Sequence, residues 1–149
     1  MYRGSNLMEE DIKRAILLDH YQMPHNKRTE DDSRYDSIHN ASESCIDDIT
    51  VYMLIENNII KDVAYDGRGC TICIASCSIM SDLIKGKSLD EAKNIINNYY
   101  NMINENEFDI DLLEEANAFD TLYKQANRIK CGTIGIHAME EIVDRNYGK

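Results

Sequence analysis

Tyr65-Asp66-Gly67-Arg68-Gly69-Cys70-Thr71-Ile72-Cys73-Ile74-Ala75-Ser76-Cys77 is the stretch on which the reading of this chain turns. The residues before it alternate as a strand does and those after it repeat as a helix does, so two glycines and a cysteine sit on the hinge between two elements. Gly67 and Gly69 permit positive φ or a close backbone approach. The helix then opens at Cys70 or Thr71, which puts Cys70 in its first turn. The unpaired N–H groups and the positive end of the helix dipole favour an anion there, making Cys70 a candidate nucleophile or metal ligand.

Working outward, Ile49, Val51, Met53 and Ile55 fall at every second position and predict a strand with one buried face. Glu56-Asn57-Asn58 reads as a turn, and Ile59 to Tyr65 as the returning strand, with Ile59, Val63 and Tyr65 on one face. A two-residue loop would set Cys45 opposite Cys70, and a three-residue loop would set it opposite Gly69; either way Cys45, Asp47 and Cys70 converge at the open end. Arg34 to His39 is a possible short edge strand in a loop-rich region from 25 to 48. Helices are expected over Glu9 to Gln22, stopped by Pro24; from Cys70 to about Lys85, stopped by Gly86; over Leu89 to Met102, capped by Ser88 with Glu91; and over Gly132 to Arg145. Asp109 to Ala118 allows a further turn or two. In the first helix the apolar positions Ile12, Ala15, Ile16, Leu18 and Tyr21 recur at helical spacing. The expected class is α+β: a small antiparallel sheet of about three strands packed by several helices.

At 149 residues and 17.1 kDa the chain is expected to form one domain over residues 9–149, with residues 1–8 set aside as a flexible leader or expression remnant. Five cysteines, an odd set with no secretory signal before them, point to a reducing cytoplasm and to metal-binding or reactive thiols. No run of roughly twenty apolar residues is present, which argues against a membrane span. A net charge of −11 argues against nucleic acid, whose binding rests on lysine and arginine neutralising phosphates.

Cys70, Cys73 and Cys77 share one helical face. The Cys-x-x-Cys spacing invites a metal or redox reading, but Cys73 and Cys77 continue into Met80 and Ile84 as an apolar stripe, so core packing is expected for both. Cys45-Ile46-Asp47 offers a thiolate and a carboxylate two residues apart, both competent zinc ligands. Arg128-Ile129-Lys130-Cys131 sets a thiol beside two cations just before a helix, which would lower its pKa. None of His20, His25, His39 and His137 has ligand spacing to another, and each reads as a surface or satisfied residue.

In this order the motifs resemble the SufU/IscU-type proteins of iron–sulfur cluster assembly. The likeness is carried by Cys45-Ile46-Asp47, by Gly67-Arg68-Gly69-Cys70 with Ala75-Ser76, by Arg128-Ile129-Lys130-Cys131, by Asp19-His20-Tyr21 with Pro24 and Asn26, and by Ile84-Lys85-Gly86-Lys87 with Glu91-Ala92. Lys130 before the third cysteine, a long connection from the second cysteine to the third, and no proline near it place the chain closer to SufU. The resemblance implies one zinc held by Cys45, Asp47, Cys70 and Cys131, with Arg128 and Lys130 as supporting cations. It implies Cys45 as acceptor of persulfide sulfur from a SufS-type cysteine desulfurase, released from zinc when the desulfurase supplies a replacement ligand. The protein would then be an accessory to that enzyme, passing sulfur on to a downstream scaffold or to apo-proteins. The alternative is a scaffold on which an iron–sulfur cluster is assembled. Ile46 stands where the family has glycine, so the Cys45 loop must run differently or more stiffly, because a β-branched residue resists positive φ. Cys73 and Cys77 stand where relatives carry serine or alanine.

Overall fold

The structure, a computed structural model, describes residues 8–43 and 46–147. The alternation at Ile49–Ile55 becomes β2 (Asp48–Glu56), with Ile49, Val51 and Met53 fully buried. Asn57 and Asn58 both take left-handed backbone, φ 54° and 62°, the turn geometry that matches strand twist, and the chain returns as β3 (Ile59–Arg68). β1 (Asp36–Ala41), slightly later than the edge strand expected at Arg34 to His39, pairs with the other side of β2. The three make an antiparallel meander in the order β1-β2-β3.

The hairpin differs from expectation in its register. Glu56 pairs with Ile59, as a two-residue loop requires, but after Ile55↔Ile60 the ladder slips, so that Leu54 faces Asp62 and Lys61 is left over. Two adjacent isoleucines explain the bulge: Ile60 is fully buried in place of Ile59, and the extra residue returns Val63 and Tyr65 to the core side. Every later partner therefore moves by one, and the ladder ends at Asp48↔Arg68. The bulge brings Asp47 to the level of Gly69 and Cys70. The hairpin register is thus corrected to a two-residue loop followed by a bulge; the expected placement of Cys45 opposite Cys70 or Gly69 falls on a residue outside the described ones.

Gly67, opposite Ile49, has φ +132°, and a Cβ there would lie 1.9 Å from the Asp48 carbonyl oxygen. Gly67→Ala must strain the backbone and part the two strands, so we expect a loss of at least ~2 kcal/mol in urea denaturation. A loss under ~0.5 kcal/mol, the range of an inert surface change, would contradict the described ladder end.

α1 (Glu10–Gln22) departs most from its pattern. Ile12, Leu18 and Tyr21 are exposed, whereas Lys13 and His20 are buried. Lys13 forms a buried ion pair with Asp120. His20 Nδ1 lies 2.7 Å from Ser78 Oγ and Nε2 lies 2.9 Å from Glu115 Oε1. His20 is thus a satisfied core residue; His25, His39 and His137 are exposed.

α2 (Thr71–Ile84) starts where the ladder ends and is buried along nearly its whole length among α1, β3 and α5 (Ala126–Asn146). Two of its buried serines are matched locally: Ser76 Oγ donates to the Cys73 carbonyl and Ser81 Oγ to the Ser78 carbonyl, each at 2.8 Å. Gly86, φ +84°, ends it, and Ser88 with Glu91 forms the expected capping box for α3 (Leu89–Ile103). A short α4 (Ile110–Leu113) and 3₁₀ turns at Glu114–Phe119 and Leu122–Lys124 lead to α5. α5 begins six residues before the expected Gly132, because its exposed first turn carries no apolar period. Cys131 therefore lies within the helix and not ahead of it. No described helix is long and apolar enough to cross a membrane.

Candidate metal centre

Three chain segments end at one place. Asp47 comes from the connection into β2, whose base is closed by Ser42 N–H donating to the Asp47 carbonyl at 2.9 Å. Cys70 comes from the N-cap of α2. Cys131 comes from the second turn of α5, seated where Gly132 lets that helix approach Tyr99 and Leu122; Tyr99 OH donates to the Gly132 carbonyl at 2.6 Å. One ligand atom from each of Asp47, Cys70 and Cys131 lies within 4.8 Å of the other two.

The three differ in access. Asp47 is 1% exposed and Cys131 7%, while Cys70 is half-buried. Asp47 Oδ1 accepts the Cys70 backbone N–H at 3.0 Å, so the carboxylate fixes the start of α2. Asp47 Oδ2 is buried and has no hydrogen-bond partner among the described residues. Leaving such an oxygen unmatched costs on the order of 1–3 kcal/mol, more for a charged group, unless something else binds it.

Gly69 makes this closeness possible, since a Cβ there would lie 2.6 Å from Cys73 Sγ and 3.1 Å from Asp47 Oδ1. Cys73 and Cys77 are both fully buried, as their apolar spacing predicts. Cys77 fills the notch left by Gly135 on α5, where a Cβ would lie 2.3 Å from its sulfur.

Burial, together with contacts to the Asp47 carboxylate and the Cys70 sulfur, pushes the Cys131 thiol up to about 12. This reverses the lowering expected from Arg128 and Lys130. Both side chains are exposed to water and form no ion pair among the described residues, while the groups that touch the thiol favour its neutral form.

Two thiol sulfurs and one carboxylate oxygen suit zinc. A tetrahedral ion with Zn–S of ~2.3 Å and Zn–O of ~2.0–2.2 Å sets its ligand atoms ~3.5–3.8 Å apart, inside the 4.8 Å limit within which the three atoms lie. The unmatched Asp47 oxygen and the positive end of α2 both favour a cation held by deprotonated thiols. The fourth expected ligand, Cys45, and its neighbour Ser44 lie outside the described residues; the adjoining Ile46 is exposed at the rim.

A small sheet, a buried helix starting at its open end, and a cluster of two thiols and a carboxylate at that start define a domain with a cysteine-rich candidate metal centre. Residues 12–106 match the family described as the NifU-like N terminal domain, and the chain belongs to that family. It is 31% identical over 140 residues to the zinc-dependent sulfurtransferase SufU of Bacillus subtilis (strain 168), covering 93% of this chain and 94% of that protein. It is 32% identical over 133 residues to the iron–sulfur cluster assembly scaffold protein IscU of Streptococcus pyogenes serotype M1, covering 89% and 82%. The crystal structure of the SufU protein from Fervidobacterium islandicum AW-1 superposes with a TM-score of 0.74 at 29% identity, over 85% of this chain and 92% of that one.

Proposed function

We propose that this chain, acting through residues 9–149 as one unit in the cytoplasm, is a zinc-dependent sulfur acceptor for iron–sulfur cluster assembly. The observation that carries this reading is the convergence of Cys70, Cys131 and a buried Asp47 whose Oδ2 has no hydrogen-bond partner among the described residues. Likeness along nearly the full chain to a protein named for zinc-dependent sulfur transfer supports it. Cys45 is the fourth ligand in this reading: two residues of chain tether it to Asp47, a reach of at most ~7 Å. Bound zinc would hold the ligating thiols deprotonated and so keep a sulfur nucleophile available.

The transfer is a thiol–persulfide exchange. The Cys45 thiolate attacks the terminal sulfur of a persulfide carried by a cysteine desulfurase. The sulfur–sulfur bond in the enzyme breaks, its electron pair leaves with the desulfurase thiolate, and the new bond leaves a persulfide on Cys45. Cys45 is assigned this role because the other two thiols, Cys70 and Cys131, are anchored on helices. The chain thus works as an accessory to the desulfurase.

Cys45→Ala is the test. With a SufS-type cysteine desulfurase and free cysteine, wild-type protein should raise sulfide production at least ~tenfold in the presence of a reductant, and the variant should not. Equal stimulation by the variant would overturn the assignment. Anaerobic loading with iron and sulfide that yields a cluster transferable to an apo-protein, without any stimulation, would favour the scaffold reading.

A further inference from the structure

We propose that a metal ion and a Cys70–Cys131 disulfide are alternative occupants of one site: when the ion is absent, a peroxide oxidises Cys70 and Cys131 closes onto it, linking α2 to α5. The link stands on the placement of the two thiols; its competition with zinc rests on the function proposed above.

The two thiols meet from different elements. Their sulfurs lie within 4.8 Å of one another, with an Asp47 carboxylate oxygen equally near both. The Cys131 side chain is in hydrogen-bonding contact with the Cys70 sulfur. The helices that carry them are already packed together, since one turn beyond Cys131 the gap at Gly135 admits Cys77 of α2 against α5. Cys73 and Cys77 are fully buried and contact each other, whereas Cys70 is half-buried and gives a small oxidant a way in.

A disulfide needs its sulfurs ~2.0 Å apart and its Cβ atoms ~3.5–4.5 Å apart. Rotation about χ1 from one staggered well to the next swings a sulfur by ~3 Å, enough to cover the remaining approach. The Cys70 backbone therefore stays where Asp47 Oδ1 holds its N–H, and the start of α2 does not move. Zinc keeps the same two sulfurs ~3.8 Å apart as thiolates, so a bound ion and a sulfur–sulfur bond exclude each other.

The steps balance. The Cys70 sulfur attacks one oxygen of hydrogen peroxide, the O–O bond breaks, and hydroxide leaves as water with the thiol proton, giving a sulfenic acid. The Cys131 sulfur then attacks the Cys70 sulfur; the S–O bond breaks, and the second hydroxide departs as water with the Cys131 proton. Two thiols are oxidised to one disulfide, and one peroxide is reduced to two waters. A dithiol reductant returns both thiols by exchange. The link thus holds metal-free protein out of the sulfur-transfer cycle while sparing Cys70 from irreversible sulfinic acid formation.

Full-chain protein, one sample loaded with zinc and one stripped with a chelator, is treated with hydrogen peroxide, alkylated and digested with trypsin. Cleavage after Arg68 and Lys85 isolates a peptide holding Cys70, Cys73 and Cys77, and cleavage after Lys130 and Arg145 isolates one holding Cys131. Cys45 falls on a third peptide, residues 35–61. In stripped wild type the first two peptides should be joined, with alkyl groups on Cys73 and Cys77 and fragments that place the bond at Cys70. Zinc-loaded protein should form this link at least ~tenfold more slowly, because the bound ion occupies the thiols. Stripped, linked protein should take up zinc only after dithiothreitol. Cys73→Ser and Cys77→Ser should keep the link; Cys131→Ser should abolish it and raise sulfinic acid at Cys70 at least ~tenfold. Circular dichroism identifies any variant that fails to fold, and stripped wild type alone still decides the link. Alkylated Cys70 and Cys131 in peroxide-treated stripped wild type, or a bond from either to another cysteine, would overturn the proposal. So would a link that forms equally fast in protein shown to hold zinc. A link in protein that binds no zinc under any condition would sink the functional reading while leaving the thiol pair intact.

Discussion

Asp47→Ala is expected to lower zinc affinity at least ~100-fold, well beyond the effect of losing an outer-shell partner. The variant removes one of the gathered ligands and the side chain that accepts the Cys70 backbone N–H. It also loses a charge-assisted hydrogen bond at the start of α2, worth ~1.5–3 kcal/mol. Asp47→Asn separates these effects. Its amide oxygen can still accept the Cys70 N–H, so the metal-free stability of this variant should stay near wild type while zinc affinity falls nearly as far as in Asp47→Ala. Metal affinity by competition with a chromophoric chelator, paired with urea denaturation of the stripped proteins, checks both. Equal zinc affinity in wild type and Asp47→Asn would show that the carboxylate serves the helix start and not a metal.

The second large effect is on stability. A ligand that binds only the folded state adds RT ln(1 + [L]/Kd), about 4 kcal/mol when free zinc is a thousand times Kd. For a chain of this length each kcal/mol moves the melting temperature by ~2–4 °C, so chelation should lower Tm by ~8–16 °C. The stripped protein should nonetheless keep its far-ultraviolet circular dichroism at 25 °C. Its core, from Ile49, Val51 and Met53 on β2 through α2 to Ile136, Met139 and Ile142 on α5, is built mainly from apolar side chains that are not metal ligands. Complete unfolding on chelation would make the metal a structural staple instead; a Tm change below ~2 °C would argue that zinc does not occupy the folded protein at all.

Where sequence and fold agree, a local rule decided the outcome. The alternation of β2, the left-handed Asn57-Asn58 turn, the Ser88–Glu91 capping box and the Gly86 stop each rest on a few neighbouring residues. Where they part, the deciding partner is distant. Nothing in Ile59-Ile60-Lys61 alone announces that Ile60 will take the core position, yet this one-residue bulge moves Asp47 up to Cys70. The stripe of α1 misleads because its buried places are taken by Lys13 and His20, whose partners Asp120, Ser78 and Glu115 lie far along the chain. The thiol at Cys131 was legible as a candidate ligand, but its burial was not, and burial outweighs two cations that turn out to be solvated. The approach of Cys73 to Asp47 through the gap at Gly69 left only the Cys-x-x-Cys spacing as its trace.

X-ray absorption at the zinc edge, on protein purified without added metal, tests the central claim most directly. The account predicts about one zinc per chain with three sulfur neighbours at ~2.3 Å and one oxygen at ~2.0–2.2 Å, from Cys45, Cys70, Cys131 and Asp47. Iron in place of zinc, or a zinc shell with fewer than two sulfurs, would contradict it.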